Sequence, residues 1–394
     1  MLKMGKNYKR TLRACYLGLI TQSITVNFAS LLFLRFHSEY GITLGRIALI
    51  PTVFFLTQLV IDIFCARFVD RIGYRKCIVA SQVASVLGLV GLAFIPDLFS
   101  DPFAGILVCV FIYAIGSGLL EVLCSPIVEA CPFEHKEAVM SVLHSFYSWG
   151  SVGVILLSSL FFTVFGIDNW RILACLWALL PLYNLFNFAT CPIEHLTEDG
   201  KGMTVGQLFG KPLFWVAILL MVCAGASELA MAQWASAYTE AALGFSKSIG
   251  DLIGPCLFAA TMGISRVIYG KYGSKMNLNR YMIFSGIMCL GCYLLASLSS
   301  SPVLGLIGCI FCGFSVGIMW PGTISTTSPR LPQGGTALFA FLAMAGDLGG
   351  ALGPGLVGSV SQHAGDSLRS GILAGSIFPL ILVVALILLG RKKS

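Results

Sequence analysis

Ionisable side chains stand inside long apolar runs at Asp62, Glu121, His144, Glu228, Arg266 and Asp347. A charge at the centre of a bilayer costs about 2.5–3.5 kcal/mol on insertion scales, so residues kept there are the first candidates for function. Glu121 lies about six residues from the cytoplasmic end of its predicted helix and His144 about six from the start of the next, each roughly 9 Å deep. A carboxylate near an imidazole in a half-dry cavity makes a proton site whose affinity changes as water enters or leaves. We therefore assign proton coupling to Glu121 and His144; the plainer alternative is a neutral hydrogen-bonded pair tying two helices together.

Glu228 falls about 16 residues into its helix, roughly 24 Å from the cytoplasmic face, and Asn27 reaches a similar depth in the first helix. Gln233 and Trp234 follow Glu228 on the next turns. Sugars need planar polar groups for their hydroxyls and an aromatic face for their C–H surface, and this set supplies both. Trp149 and Trp320, with Tyr147 and Tyr238, offer further stacking surfaces, although aromatics in a membrane more often pack or anchor at the interface. Asp347 sits in Gly346-Asp347-Leu348-Gly349-Gly350, with Gly353-Pro354 beyond, where glycines allow close helix packing. It is a candidate for binding solute or a cation, or for a hydrogen bond across a tight helix contact. The candidate solute-binding set is Asn27, Trp149, Glu228, Gln233, Trp234, Trp320 and Asp347. Asp62 and Arg266 fall close to cytoplasmic helix ends, where snorkelling is cheap; with Asp70, Arg71 and Arg75 they form the expected conformational gate.

The elements that must position these groups follow from composition. The chain has 394 residues, 57% hydrophobic and 11% charged, against roughly 25% charged in a soluble domain. At roughly 20 apolar residues per span this length holds about twelve transmembrane helices and leaves no room for a soluble domain. Apolar runs place them near 11–35, 46–69, 76–96, 103–127, 138–165 and 170–190, then 212–240, 248–270, 280–299, 301–326, 335–361 and 368–390. The polar stretch 191–211 reads as a cytoplasmic linker, giving an N-terminal bundle over 1–190 and a C-terminal bundle over 212–394. The halves repeat one another: Tyr40-Gly41-Ile42-Thr43 recurs as Leu243-Gly244-Phe245-Ser246, and Arg71-x-Gly73-x-Arg75 as Lys271-x-Gly273-x-Lys275. The expected fold is an all-α membrane protein of two pseudo-symmetric six-helix bundles.

The net charge of +7 is spread over short loops rather than gathered in a stripe, which argues against a nucleic-acid partner. Lys3, Lys6, Lys9, Arg10, Arg67, Arg71, Arg75 and Lys76 share one side, so the positive-inside rule puts both termini in the cytoplasm. The apolar stretch near 11–34 is too long for a signal-peptide core and reads as an uncleaved first helix. Cys289-x-x-Cys292 with Cys309-x-x-Cys312 matches a zinc-like spacing, but inside apolar helices cysteine behaves as a small hydrophobe, so no metal is expected. The charged turn Glu129–Glu137 reads as solvated loop. A phosphate-binding Gly-Lys-Ser/Thr loop and a nucleophile elbow are both missing, which argues against ATP hydrolysis and against an enzyme.

The loop Asp70-Arg71-Ile72-Gly73-Tyr74-Arg75-Lys76 resembles the signature loop of the major facilitator superfamily, with Tyr74 where a basic residue is common. Glu121-Val122-Leu123-Cys124-Ser125-Pro126 is similar to the Glu-x-x-x-Asn-Pro motif of its fucose, galactose and glucose proton symporters, with Ser125 in place of Asn. Gly116-x-Gly118, the run from His144 to Gly150, and Glu228 with Trp234 are similar to segments of the same branch. Where fucose permeases carry an Asp in the first helix, this chain has Ser30. The resemblance implies the major facilitator fold and alternating access, with Glu121 as the proton-handling carboxylate. The expectation is a monomeric secondary transporter in the plasma membrane, an inner membrane if bacterial, moving a small polar solute with a proton as coupling ion and no cofactor. The alternatives are a proton-driven exporter of amphipathic compounds and a transporter-like solute receptor.

Overall fold

The computed structural model describes residues 7–42, 44–47, 49–196, 203–243, 247–364 and 367–391, and every regular element among them is helical. Eleven helices among the described residues are long and apolar enough to cross a membrane. A further long helix, Lys247–Tyr272, stands where the sequence predicts the eighth span. The all-α membrane fold expected from the apolar runs is the fold observed. The linker expected over 191–211 falls partly on 197–202, which lie outside the described residues.

The chain divides into two compact units. The first comprises Met1–Pro132, Trp149–Gly202 and Gly335–Ala340. It carries α1 (Tyr8–Leu31), α2 (Phe33–Tyr40), α3 (Leu44–Ile47), α4 (Leu49–Ile72), α5 (Tyr74–Phe94), α6 (Pro102–Glu129), the later part of α7 (Lys136–Phe165), and α8 (Trp170–Thr190). Local chemistry sets these boundaries. The Asp101 carboxylate accepts from the Phe103 N–H at 3.2 Å and Pro102 opens α6, a capping residue followed by a residue with no N–H to lose. Gly73, at φ 96°, lets the chain reverse between α4 and α5 in a conformation that only glycine adopts cheaply. The run predicted as one helix over 11–35 is broken at Leu32, whose N–H turns back to the Ala29 carbonyl at 3.0 Å. Lipid tails are as apolar as leucine, so helices associate by close packing rather than by a hydrophobic drive. Accordingly Phe28, Phe36, Phe54, Tyr113 and Trp170 interlock in one buried cluster, with the Phe36 and Trp170 rings edge-to-face at 5.5 Å.

The second unit comprises Phe133–Ser148, Met203–Gly334 and Phe341–Ser394. It holds the start of α7 together with α9 (Val205–Phe209), α10 (Pro212–Leu243), α11 (Lys247–Tyr272), α12 (Leu278–Leu298), α13 (Pro302–Val316), α14 (Met319–Thr327), α15 (Gly335–His363), α16 (Leu368–Gly375) and α17 (Ile377–Arg391). The glycine-rich stretch of α15 lies directly on α10: a methyl group at Gly353 would stand 2.5 Å from the Ala226 carbonyl oxygen. The span predicted over 301–326 is interrupted at Gly317, between α13 and α14, which frees a backbone carbonyl inside the bundle. Glu129, expected in a solvated turn, is the last residue of α6 and is buried.

Candidate functional site

In the first unit the focal group is Glu121 on α6. One of its oxygens, Oε2, accepts from Gln58 Nε2 of α4 at 2.7 Å and from Gln22 Nε2 of α1 at 3.1 Å. Gln58 also donates to Ser117 Oγ at 3.3 Å, one turn before Glu121. Both glutamines are buried while Glu121 is half-buried, so the carboxylate ties three helices together without being sealed off. Asn27, further along α1, donates to the Ser23 carbonyl at 2.8 Å and to Ser151 Oγ at 3.3 Å. Asp62 is buried in α4. Trp149 is 38% exposed.

The signature loop is anchored by a separate set of contacts in the same unit. Asp70 accepts from Thr336 Oγ1, and Thr336 lies 2.7 Å from the hydroxyl of the fully buried Tyr74. The Tyr74 ring packs on His195 with centroids 4.5 Å apart. Arg75 donates to the carbonyls of Phe188, Ala189 and Cys191 at 2.9, 2.7 and 2.8 Å, satisfying the orphan C=O groups at the end of α8. Arg71 is exposed.

The second unit is organised around Arg266 of α11, which is 3% exposed. Its Nε donates to the Gly317 carbonyl at 2.8 Å, the group freed by the break between α13 and α14. Its Nη1 donates to Ser148 Oγ at 2.8 Å and to the His144 backbone carbonyl at 2.9 Å. The Nη2 to Glu228 distance of 3.6 Å is an ion pair rather than a hydrogen bond. Glu228 is therefore charge-compensated yet accepts no hydrogen bond from the described residues, and at 14% exposure it is reachable. On α15, Asp347 Oδ2 is buried with no hydrogen-bond partner among the described residues. The Trp320 ring lies against Gly346, next to Asp347. Gln233 is exposed on α10; the Trp234 side chain lies outside the described residues.

A family model described as Major Facilitator Superfamily matches residues 15–354. The chain belongs to the major facilitator superfamily. It is a multi-pass membrane transporter and not an enzyme. In sequence this superfamily member is 22% identical over 314 residues to the multi-drug resistance efflux pump PmrA of Streptococcus pneumoniae, spanning 75% of each chain. In fold it is similar to the fucose:proton symporter FucP of E. coli, with a TM-score of 0.79 at 15% identity over 95% of this chain and 97% of that one. It is likewise similar to the proton:xylose symporter XylE, with a TM-score of 0.83 at 14% identity over 97% and 95% of the two chains. At these identities the likeness is one of fold.

Among the residues singled out in sequence, the structure brings Glu228 and Arg266 together, and brings Arg266 to the His144 backbone. Glu121 belongs to the first unit and His144 to the second. Arg266, expected near a helix end with the gate residues, is the buried counter-ion of Glu228. Sequence reasoning missed Gln22, Gln58, Ser148 and Thr336. The glutamines carry a readable signal, an amide inside an apolar run, but a search restricted to ionisable groups passes over them.

Proposed function

We propose that this superfamily member moves a small polar solute, a monosaccharide, across the plasma membrane by alternating access coupled to a proton. The observation that carries the reading is the double amide donation to a single oxygen of Glu121. A proton arriving at Oε2 competes with Gln22 and Gln58 for that oxygen, so proton uptake releases amide donors on α1 and α4 that a solute hydroxyl can then engage. Within the second unit, Glu228 and Asp347 supply carboxylate acceptors for solute hydroxyls, with Trp320 as an aromatic face. Asn27, Trp149, Gln233 and Trp234 complete the proposed solute set. Asp62, Asp70, Arg71 and Arg75 are the proposed gate, and His144 assists the proton step. The protein works as a monomer without a cofactor or resident metal, with its termini in the cytoplasm. The test is uptake of radiolabelled hexoses and deoxyhexoses into proteoliposomes with and without an inward proton gradient. Gradient-dependent accumulation is expected, and no uptake of any sugar by folded protein would overturn the assignment.

The similarity to PmrA favours a second reading, proton-driven export of amphipathic compounds. It predicts that expressing cells accumulate less of a cationic dye and that hexoses do not compete.

A further inference from the structure

Arg75 and Lys76 stand at one end of an open groove of about 700 Å³ on the first unit. Beyond them the groove is apolar: α5 contributes Ala80, Ala84 and Leu87, and α6 contributes Ile112 and Ile115. Ala80 and Ala84 are one turn apart and too small to fill the space between the two helices. Leu87 is 57% exposed, which on a membrane-spanning helix means that the groove opens to acyl chains. From Arg75 to Leu87 the helical rise gives about 18 Å, close to the ~15 Å depth of one leaflet of the hydrocarbon core.

The charged end selects among lipids. Among the described residues no acidic side chain lines the groove. The acceptors that hold Arg75 are neutral backbone carbonyls, which fix the guanidinium without cancelling its charge. Lys76 is exposed and makes no ion pair among the described residues. Arg10 donates to Thr190 at the same end of α8, adding a third positive charge nearby. Such an end attracts a phosphate and offers no counter-charge to a headgroup ammonium. We propose that the groove binds an anionic phospholipid, its phosphate on Lys76 and Arg75 and one acyl chain between α5 and α6.

The test uses the full chain reconstituted in nanodiscs of equal parts phosphatidylglycerol and phosphatidylcholine, released into detergent and weighed by native mass spectrometry. Retained phosphatidylglycerol is expected to exceed phosphatidylcholine, and Lys76→Ala to cut that preference about fivefold. Lys76→Arg should restore it, which separates lost charge from lost fold. Ala84→Leu fills the groove and should reduce retention of both lipids. Equal retention of the two lipids by the unaltered chain would overturn the proposal. So would a preference that survives Lys76→Ala, retention unchanged by Ala84→Leu, or a co-purifying polypeptide in place of lipid.

Discussion

The two units each present a carboxylate in a membrane-spanning helix, and they hold it in opposite ways. Glu121 receives two neutral amides on one oxygen, from two other helices. Glu228 lies 3.6 Å from a buried arginine that is itself fixed by two backbone carbonyls and a serine hydroxyl. Amide donors can be released one at a time, and a proton competes with them directly. An arginine anchored at three other points cannot leave without stranding those acceptors. The first arrangement suits a group whose state changes during a cycle, and the second suits a fixed charge pair that presents open acceptors to a solute.

Removing the arginine should give the largest effect. Arg266→Met leaves Glu228 without its counter-ion and should cost about 3–5 kcal/mol, the range for breaking one side of a buried pair. The measurement is thermal unfolding in detergent with a monodispersity check. Arg266→Met combined with Glu228→Gln should recover only the part due to the uncompensated carboxylate, because the Gly317 and His144 carbonyls and the Ser148 hydroxyl stay unserved; a single variant as stable as the unaltered chain would mean that the pair is not desolvated. Glu121→Gln breaks the comparison from the other side. It should alter stability by only about 1 kcal/mol yet abolish gradient-driven accumulation, while solute counterflow persists. Full accumulation by this variant would remove Glu121 from the coupling step.

The contrast was half legible in the sequence. Apolar runs bounded by loops gave the helices, because each span must satisfy its own backbone and so declares itself locally. Glu121 and Glu228 stood out because charge inside such a run is rare. Their partners did not. Gln22 and Gln58 come from distant parts of the chain, and neither amide is costly enough to be conspicuous alone. Arg266 lies six residues from the end of its helix, and counting along one helix says nothing of what the neighbouring helices bring to it. Pro321 has no N–H to give the Gly317 carbonyl four residues before it, so the free acceptor is legible in the sequence; that Arg266 of another helix fills it is not. Tyr74 is the instructive departure: a substitution within the signature loop gains a buried hydroxyl that meets Thr336, from much later in the chain.

That contact supplies an intermediate test, in which one hydroxyl serves a charged and a neutral group at once: its single proton goes to the Asp70 carboxylate, and its oxygen accepts from the Tyr74 hydroxyl. Thr336→Val removes the hydroxyl that serves both Asp70 and Tyr74, and a loss of about 1–3 kcal/mol is expected for leaving a buried polar group unserved. Tyr74→Phe in the same background should return part of the loss, because the orphaned hydroxyl disappears with it. No recovery in the double variant would mean that Asp70 carries the whole effect.

The smallest effect belongs to an arginine–carboxylate pair that burial does not amplify. Arg46 contacts Asp101 with side chains 45% and 47% exposed, at the start of α6. The Arg46 hydrogen bond, with the Phe103 N–H, holds the Asp101 carboxyl below its ordinary range. A folded-state value below the unfolded one stabilises above the unfolded value of about 3.9 and is lost as pH falls through the folded value. Arg46→Ala should therefore raise the Asp101 titration midpoint, read from carboxyl carbon shifts in nanodiscs, while thermal stability at neutral pH stays unchanged. Water and salt screen a pair this exposed. If Arg46→Ala destabilised the protein as much as Arg266→Met, burial would not be what distinguishes the Glu228 pair, and the assignment of that pair as a fixed, desolvated centre would fail with it.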